Sequence, residues 1–193
     1  MYAILAVNIL VIGISVERAI WLYFQAGVDR RALMGRIEKH LRAGEIDRAK
    51  GLVARSRAPL SRVVAAGLSS HGQGHDAALM LMNEAQLMEL PRIETRVGYL
   101  VMFSNIATLL GLLGTIVGLI RSFAAVASAS AADKATELAR GISEAMNCTA
   151  FGLIVAISAL LIYAALQSRA HKMADDVKHA SQSLGIMISE TKW

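Results

Sequence analysis

Val97-Gly98-Tyr99-Leu100-Val101-Met102-Phe103-Ser104-Asn105-Ile106-Ala107-Thr108-Leu109-Leu110-Gly111-Leu112-Leu113-Gly114-Thr115-Ile116-Val117-Gly118-Leu119-Ile120 is a run of 24 residues without an Asp, Glu, Lys or Arg. As an α-helix it is long enough to cross the ~30 Å hydrocarbon core of a bilayer, and it excludes a soluble enzyme by itself. Two further apolar blocks lie on either side. Met1 to Val16 is interrupted only by Asn8, Gly13 and Ser15, and Cys148 to Leu166 is closed by Gln167, Ser168 and Arg169. The first block reaches only roughly 24 Å as a helix. Trp21, Tyr23 and Phe24 supply the interfacial anchor of a spanning helix, so that helix is expected to continue past Arg18 toward water. A secretory signal would have basic residues before the apolar run and a small-x-small site after it. Glu17-Arg18-Ala19-Ile20-Trp21 follows instead, and the block is read as a span.

The rest of the composition agrees. The chain has 193 residues, 55% of them hydrophobic and 18% charged. One cysteine and two prolines exclude a disulfide framework, a Cys-rich zinc module and a Pro-rich linker protein. The net charge of +5 comes without a Lys/Arg run interleaved with aromatics, which argues against nucleic acid as a partner. The basic residues are instead placed to orient a membrane protein. Residues 17–96 carry 13 Lys/Arg against 9 Asp/Glu, and residues 121–147 carry three of each. By the positive-inside rule the large segment and the tail are cytoplasmic, and the start of the chain and the loop after Ala124 lie outside.

The expected fold is an all-α membrane protein of three transmembrane helices, with a cytoplasmic helical segment between the first and second. Its divisions are 1–26 (first span), 27–96 (cytoplasmic segment), 97–123 (second span), 124–136 (connector), 137–168 (third span) and 169–193 (cytoplasmic C-terminal helix). Within the cytoplasmic segment Asp29 caps a helix over Arg30 to Arg42 with Leu33, Ile37 and Leu41 on one face, ending at Gly44. A second helix covers Glu45 to Ala54, and Pro59 opens a third that breaks at Ser69-Ser70-His71-Gly72-Gln73-Gly74. From Asp76 the pattern Leu79, Met82, Leu87, Leu90 predicts one extended helix running through a kink at Pro91 into the second span. His71 and His75 stand four apart, but the glycines between them read as a solvated turn, and no metal is assigned. Met80, Met82 and Met88 are read as gap-fillers between helices.

Inside the spans two stripes stand out. Ser104, Thr108, Gly111, Thr115, Gly118 and Ser122 follow at steps of 4, 3, 4, 3 and 4, giving the second span a small, weakly polar face. Gly141, Ala145, Thr149, Gly152 and Ala156 do the same on the third. Close helix packing explains such glycines, Gly114 and Gly118 of the GxxxG pentad included, and a face made to meet another helix explains them equally. Thr115 and Thr149 fall on the same side of the midplane, where their hydroxyls either face each other or line one cavity. Glu144, a turn outward from Thr149, is the one acid within the membrane. It is either a functional group or a charge favoured by the start of a helix.

Gly111-Leu112-Leu113-Gly114-Thr115-Ile116-Val117-Gly118-Leu119-Ile120 and Gly141-Ile142-Ser143-Glu144-Ala145-Met146-Asn147-Cys148-Thr149-Ala150-Phe151-Gly152-Leu153, in a three-span protein, resemble the proton-channel family of ExbB, TolQ and, more distantly, MotA. The Glu17-Arg18 pair and the stretch from Arg30 to Lys50 with its Ala43-Gly44-Glu45 break look like that family too. The resemblance implies a subunit of a bacterial inner-membrane motor driven by proton motive force. It implies a homo-pentamer in the lipid bilayer around a dimer of a single-span ExbD/TolR/MotB-like partner that carries the proton-binding Asp. Thr115, Thr149 and Glu144 match the family's pore-lining positions, and Gly111, Gly114, Gly118, Gly141, Ala145 and Gly152 pack helices around the partner. No catalytic residue and no cofactor is implied. Departures are Thr108 and Ser158 where the family has prolines, and Asn147 and Cys148 where it has small apolar residues. Hydroxyls bonded back to their own helix would bend it weakly in place of a proline kink. The rival expectation is a non-conducting oligomeric scaffold whose glycines only pack helices and whose cytoplasmic part recruits partners.

Overall fold

The computed structural model describes residues 1–25, 27–128, 130 and 132–190, with Gln25 described through its backbone alone. Ala26 of the expected first span, Ala129 and Ala131 of the expected connector, and residues 191–193 of the expected C-terminal helix lie outside the described residues. Among the described residues there is no strand. The elements are α1 (Tyr2–Ile20), a π-helical turn (Trp21–Gln25), α2 (Arg30–Arg42), α3 (Ile46–Ala54), α4 (Pro59–Ser69), α5 (His75–Glu94), α6 (Tyr99–Ser128) and α7 (Lys134–Glu190). Three helical stretches, Tyr2–Phe24, His75–Ser128 and Lys134–Glu190, are long and apolar enough to cross a membrane. The fold is thus all-helical with three candidate spans, as the apolar blocks require.

The chain divides into two compact units. The first comprises Met1–Glu17 and Arg96–Ala165, which takes in most of α1, all of α6 and the first part of α7. Ile4, Val7 and Val11 of α1 are buried in it, and the hydroxyl of Ser15 donates to the Val11 carbonyl at 2.6 Å, so this polar group leaves no unmet donor. Glu17 and Arg96 form an ion pair within the same unit. α6 runs on to Ser128, through residues expected to belong to the connector, because the alanines and serines there have no reason to leave a helix.

The second unit comprises Arg18–Thr95 and the chain from 166 onward. Asp29 caps α2 as its sequence position demands: its carboxylate accepts from the amides of Arg31 at 2.9 Å and Ala32 at 3.3 Å. Gly44 takes φ +71 past the end of α2, and Pro59 opens α4. The buried face of α2 is Met34, Ile37 and Leu41, so Met34 takes the place expected of Leu33. At the centre, a Cβ on Gly67 of α4 would lie 2.7 Å from Met82 Sδ and 2.9 Å from Leu184 Cδ2, which fixes how closely α4 meets α5 and α7. Glu89, 5% exposed, is compensated by Arg62 at 2.9 Å and Arg92 at 2.6 Å.

Two expectations for α5 are corrected. Pro91 sits inside the helix, yet the helix stops at Glu94 and the next begins at Tyr99, so the continuous helix expected here is two helices, α5 and α6. The break lies at Thr95, whose amide (2.8 Å) and hydroxyl (2.5 Å) both donate to the Pro91 carbonyl, and at Arg96, which takes φ 66. The methionine reading also splits. Met82 is fully buried as a gap-filler, whereas Met80 is 73% and Met88 60% exposed, as is Leu87. The face α5 buries is Ala78, Met82, Glu89 and Ile93.

Candidate functional site

The two small stripes meet each other along an α6–α7 seam. A Cβ on Gly152 would stand 2.8 Å from the Ala107 carbonyl oxygen and 3.0 Å from Gly111 Cα, and one on Gly111 would stand 3.3 Å from Thr149 Cα. Further along, a Cβ on Gly114 would stand 2.7 Å from Cys148 Cβ, one on Gly118 would stand 2.7 Å from Ala145 Cβ, and one on Gly141 would overlap the Ser122 hydroxyl. Each glycine therefore removes a methyl that the opposite helix has no room for, its backbone at Gly111 and Gly152 and its side chains at Gly114, Gly118 and Gly141, and the helices come close enough for their polar groups to cross.

Two hydroxyls do cross. Thr149 Oγ1 donates to the Gly111 carbonyl at 3.0 Å, and Ser104 Oγ donates to the Ala156 carbonyl at 3.0 Å. These bonds tie α7 to α6 midway along the seam and at its Ser104–Ala156 end. Thr115 makes no such crossing: its hydroxyl donates to Leu112 of its own helix at 2.6 Å. The two threonines therefore do not bond to each other. Thr108 and Ser158 bond back to Ser104 (3.1 Å) and Ile154 (2.8 Å) of their own helices, the kind of bond that bends a helix weakly.

Glu144 stands elsewhere. It precedes Thr149 by five residues, which at about 100° per residue places it roughly 140° around α7. It is exposed and lines a cavity of about 530 Å³ together with Arg121, Glu137, Arg140 and the apolar side chains of Leu113 and Val117. Gly114, Gly118, Gly141 and Ala145 line the cavity, and Thr115 and Thr149 do not. Arg140 pairs with Glu137 at 3.0 Å, while Arg121 makes no ion pair among the described residues. The spacing argument named Glu144 and missed the charges around it. Arg121 carried a signal nonetheless, as a cation three residues beyond Gly118 on a helix otherwise free of charge. Among the described residues no group of three or more His, Cys, Asp and Glu gathers as a metal site.

Residues 55–179 match the MotA/TolQ/ExbB proton channel family. The chain is 31% identical over 162 residues to putative biopolymer transport protein ExbB-like 3 of Synechocystis, covering 82% of this chain and 75% of that protein. It is 29% identical over 197 residues to ExbB-like 1 of the same organism, covering 98% and 75%. It is 35% identical over 95 residues to the Tol-Pal system protein TolQ of Haemophilus influenzae, covering 49% and 41%.

Proposed function

Because the chain belongs to the MotA/TolQ/ExbB proton channel family, we propose that it is the stator subunit of an inner-membrane motor, working through a single-span ExbD/TolR/MotB-like partner. Members of this family are transport subunits and not enzymes, and this chain is a multi-pass membrane protein of that kind. In the proposed assembly five copies surround two partner helices, with the N-terminus periplasmic and the C-terminus cytoplasmic. The observation that supports the reading is the make-up of the seam: glycines, alanines and hydroxyls line it, and the reading draws its proton-carrying carboxyl from another chain.

In this reading a proton neutralises the partner's Asp beside Thr115 and Thr149. Neutralisation loosens that helix from one subunit and lets it turn to the next, and the work is delivered outside the membrane. Thr115 and Thr149 offer oxygens that accept from the protonated carboxyl, and Glu144 draws protons toward the site. The glycines serve this indirectly, because a tight α6–α7 pair leaves space beyond it for a foreign helix.

One observation favours the rival scaffold. Gly111, Gly114, Gly118, Gly141 and Gly152 are all in use within the subunit's own seam, as a purely structural role demands. The two readings separate on Thr149→Val and Glu144→Ala, made in cells holding the whole complex. The seam bond lost in T149V contributes only about 0.6 kcal/mol on average among interhelical membrane hydrogen bonds, so the ring should survive. A stator loses energised work in both variants with oligomer size unchanged on native mass spectrometry. Full activity in both would assign the chain to the scaffold reading.

A further inference from the structure

Asn147 is exposed on α7, and its amide makes no hydrogen bond among the described residues. The span hydroxyls of Ser104, Thr108, Thr115, Thr149 and Ser158 each have an acceptor within the chain. A primary amide has two donors and an acceptor, and hydrocarbon satisfies none of them. Its face is therefore wet or partnered, and its neighbours decide which.

Arg140, Glu144 and Asn147 follow at steps of 4 and 3 and are all exposed, so they form one stripe on α7. The first two line the cavity of about 530 Å³ that also holds Arg121 and Glu137. Beyond Asn147 the same face continues with Phe151, Ile154 and Ser158, whose hydroxyl is already bonded back to Ile154 at 2.8 Å. The polar stripe thus begins at a charged cavity and ends at Asn147. Asn105 on α6 is also exposed without a bond, but no charged residue shares its face.

We propose that Asn147 is a positioning residue at the inner end of a water-filled inlet that runs from this cavity past Arg140 and Glu144. This rests on the stator reading and adds to it the route by which the ion reaches the partner's carboxyl. An amide suits the post: it orients water by donating and accepting, and it has no proton of its own to hold back near neutral pH.

The test uses native-host membranes holding the complete complex, with Cys148→Ala as background and single cysteines at 147, 115 and 161. Asn147→Cys is expected to react with a charged, membrane-impermeant thiosulfonate, and Leu161→Cys, on the same stripe but two heptads further into its apolar part, to remain unlabelled. Asn147→Leu is expected to lower proton flux about tenfold, the scale of one lost hydrogen bond, and Asn147→Gln to restore it. If Thr115→Cys is labelled and Asn147→Cys is as inert as Leu161→Cys, the inlet is refuted while the stator reading stands. A disulfide between two copies through position 147 refutes it in favour of a subunit contact. Inertness at both 115 and 147 removes the conducting pore itself.

Discussion

A methyl at Gly152 would press on the Ala107 carbonyl oxygen at 2.8 Å and on Gly111 Cα at 3.0 Å, and backbone atoms cannot swing aside. Gly152→Ala should therefore destabilise the α6–α7 pair by about 1–3 kcal/mol, the usual cost of overpacking. Gly35 is the counterexample, exposed in the middle of α2 with nothing within 4 Å of a Cβ. Gly35→Ala should stabilise by roughly 0.5–1 kcal/mol through the unfolded chain's lost freedom. Thermal midpoints in detergent should then rank G35A above the parent and the parent above G152A, and any other order would overturn the packing account. The sequence spacing made the seam glycines legible as a face, because steps of three and four fix position around a helix. It did not reveal what meets that face, since a small residue records only that something comes close. Thr115 and Thr149 are alike in sequence for the same reason, yet one bonds its own helix and the other bonds across.

The turn between α2 and α3 shows what can be read at the scale of an element. Ala43-Gly44-Glu45 marked the break, and the structure adds that Glu45 is held by His40 Nδ1 at 2.9 Å and Arg48 at 2.5 Å. Those contacts, the His40 hydrogen bond foremost and then that of Arg48, hold its carboxyl below the ordinary value of 4.5. A carboxyl whose pKa is lowered by folding stabilises the fold fully above its unfolded pKa and loses that contribution as pH falls through the folded value. Hydrogen exchange at the α2–α3 turn should therefore speed up in acid relative to Glu45→Gln compared at each pH. An identical acid response in the two chains would show that these contacts do not hold the turn. The end of α5 was less legible. Proline is the strongest breaker on sequence grounds, but here Thr95 closes the last turn onto the Pro91 carbonyl, and the chain departs at Arg96. A side chain returning to its own backbone leaves no periodic signature, so the pattern gave a kink at Pro91 in a continuous helix and not the break that follows Glu94.

At the scale of the whole molecule the question is which way the chain faces, and charge is the determinant to argue from. Helix lengths set three crossings and are indifferent to direction. The excess of four cations in residues 17–96, against none in residues 121–147, favours keeping the large segment on the cytoplasmic side. In the proposed orientation Glu144 and its cavity face the periplasm, where a proton driven inward arrives first, so the proposed orientation and the proposed mechanism stand or fall together. Single cysteines decide the matter in a Cys148→Ala background. Gln73→Cys, in the exposed turn before α5, should be protected from an impermeant maleimide in intact cells and react after permeabilisation. Ser130→Cys, between α6 and α7, should react without permeabilisation. The reverse pattern would put Glu144 on the cytoplasmic side, where it would meet protons leaving the path instead of entering it.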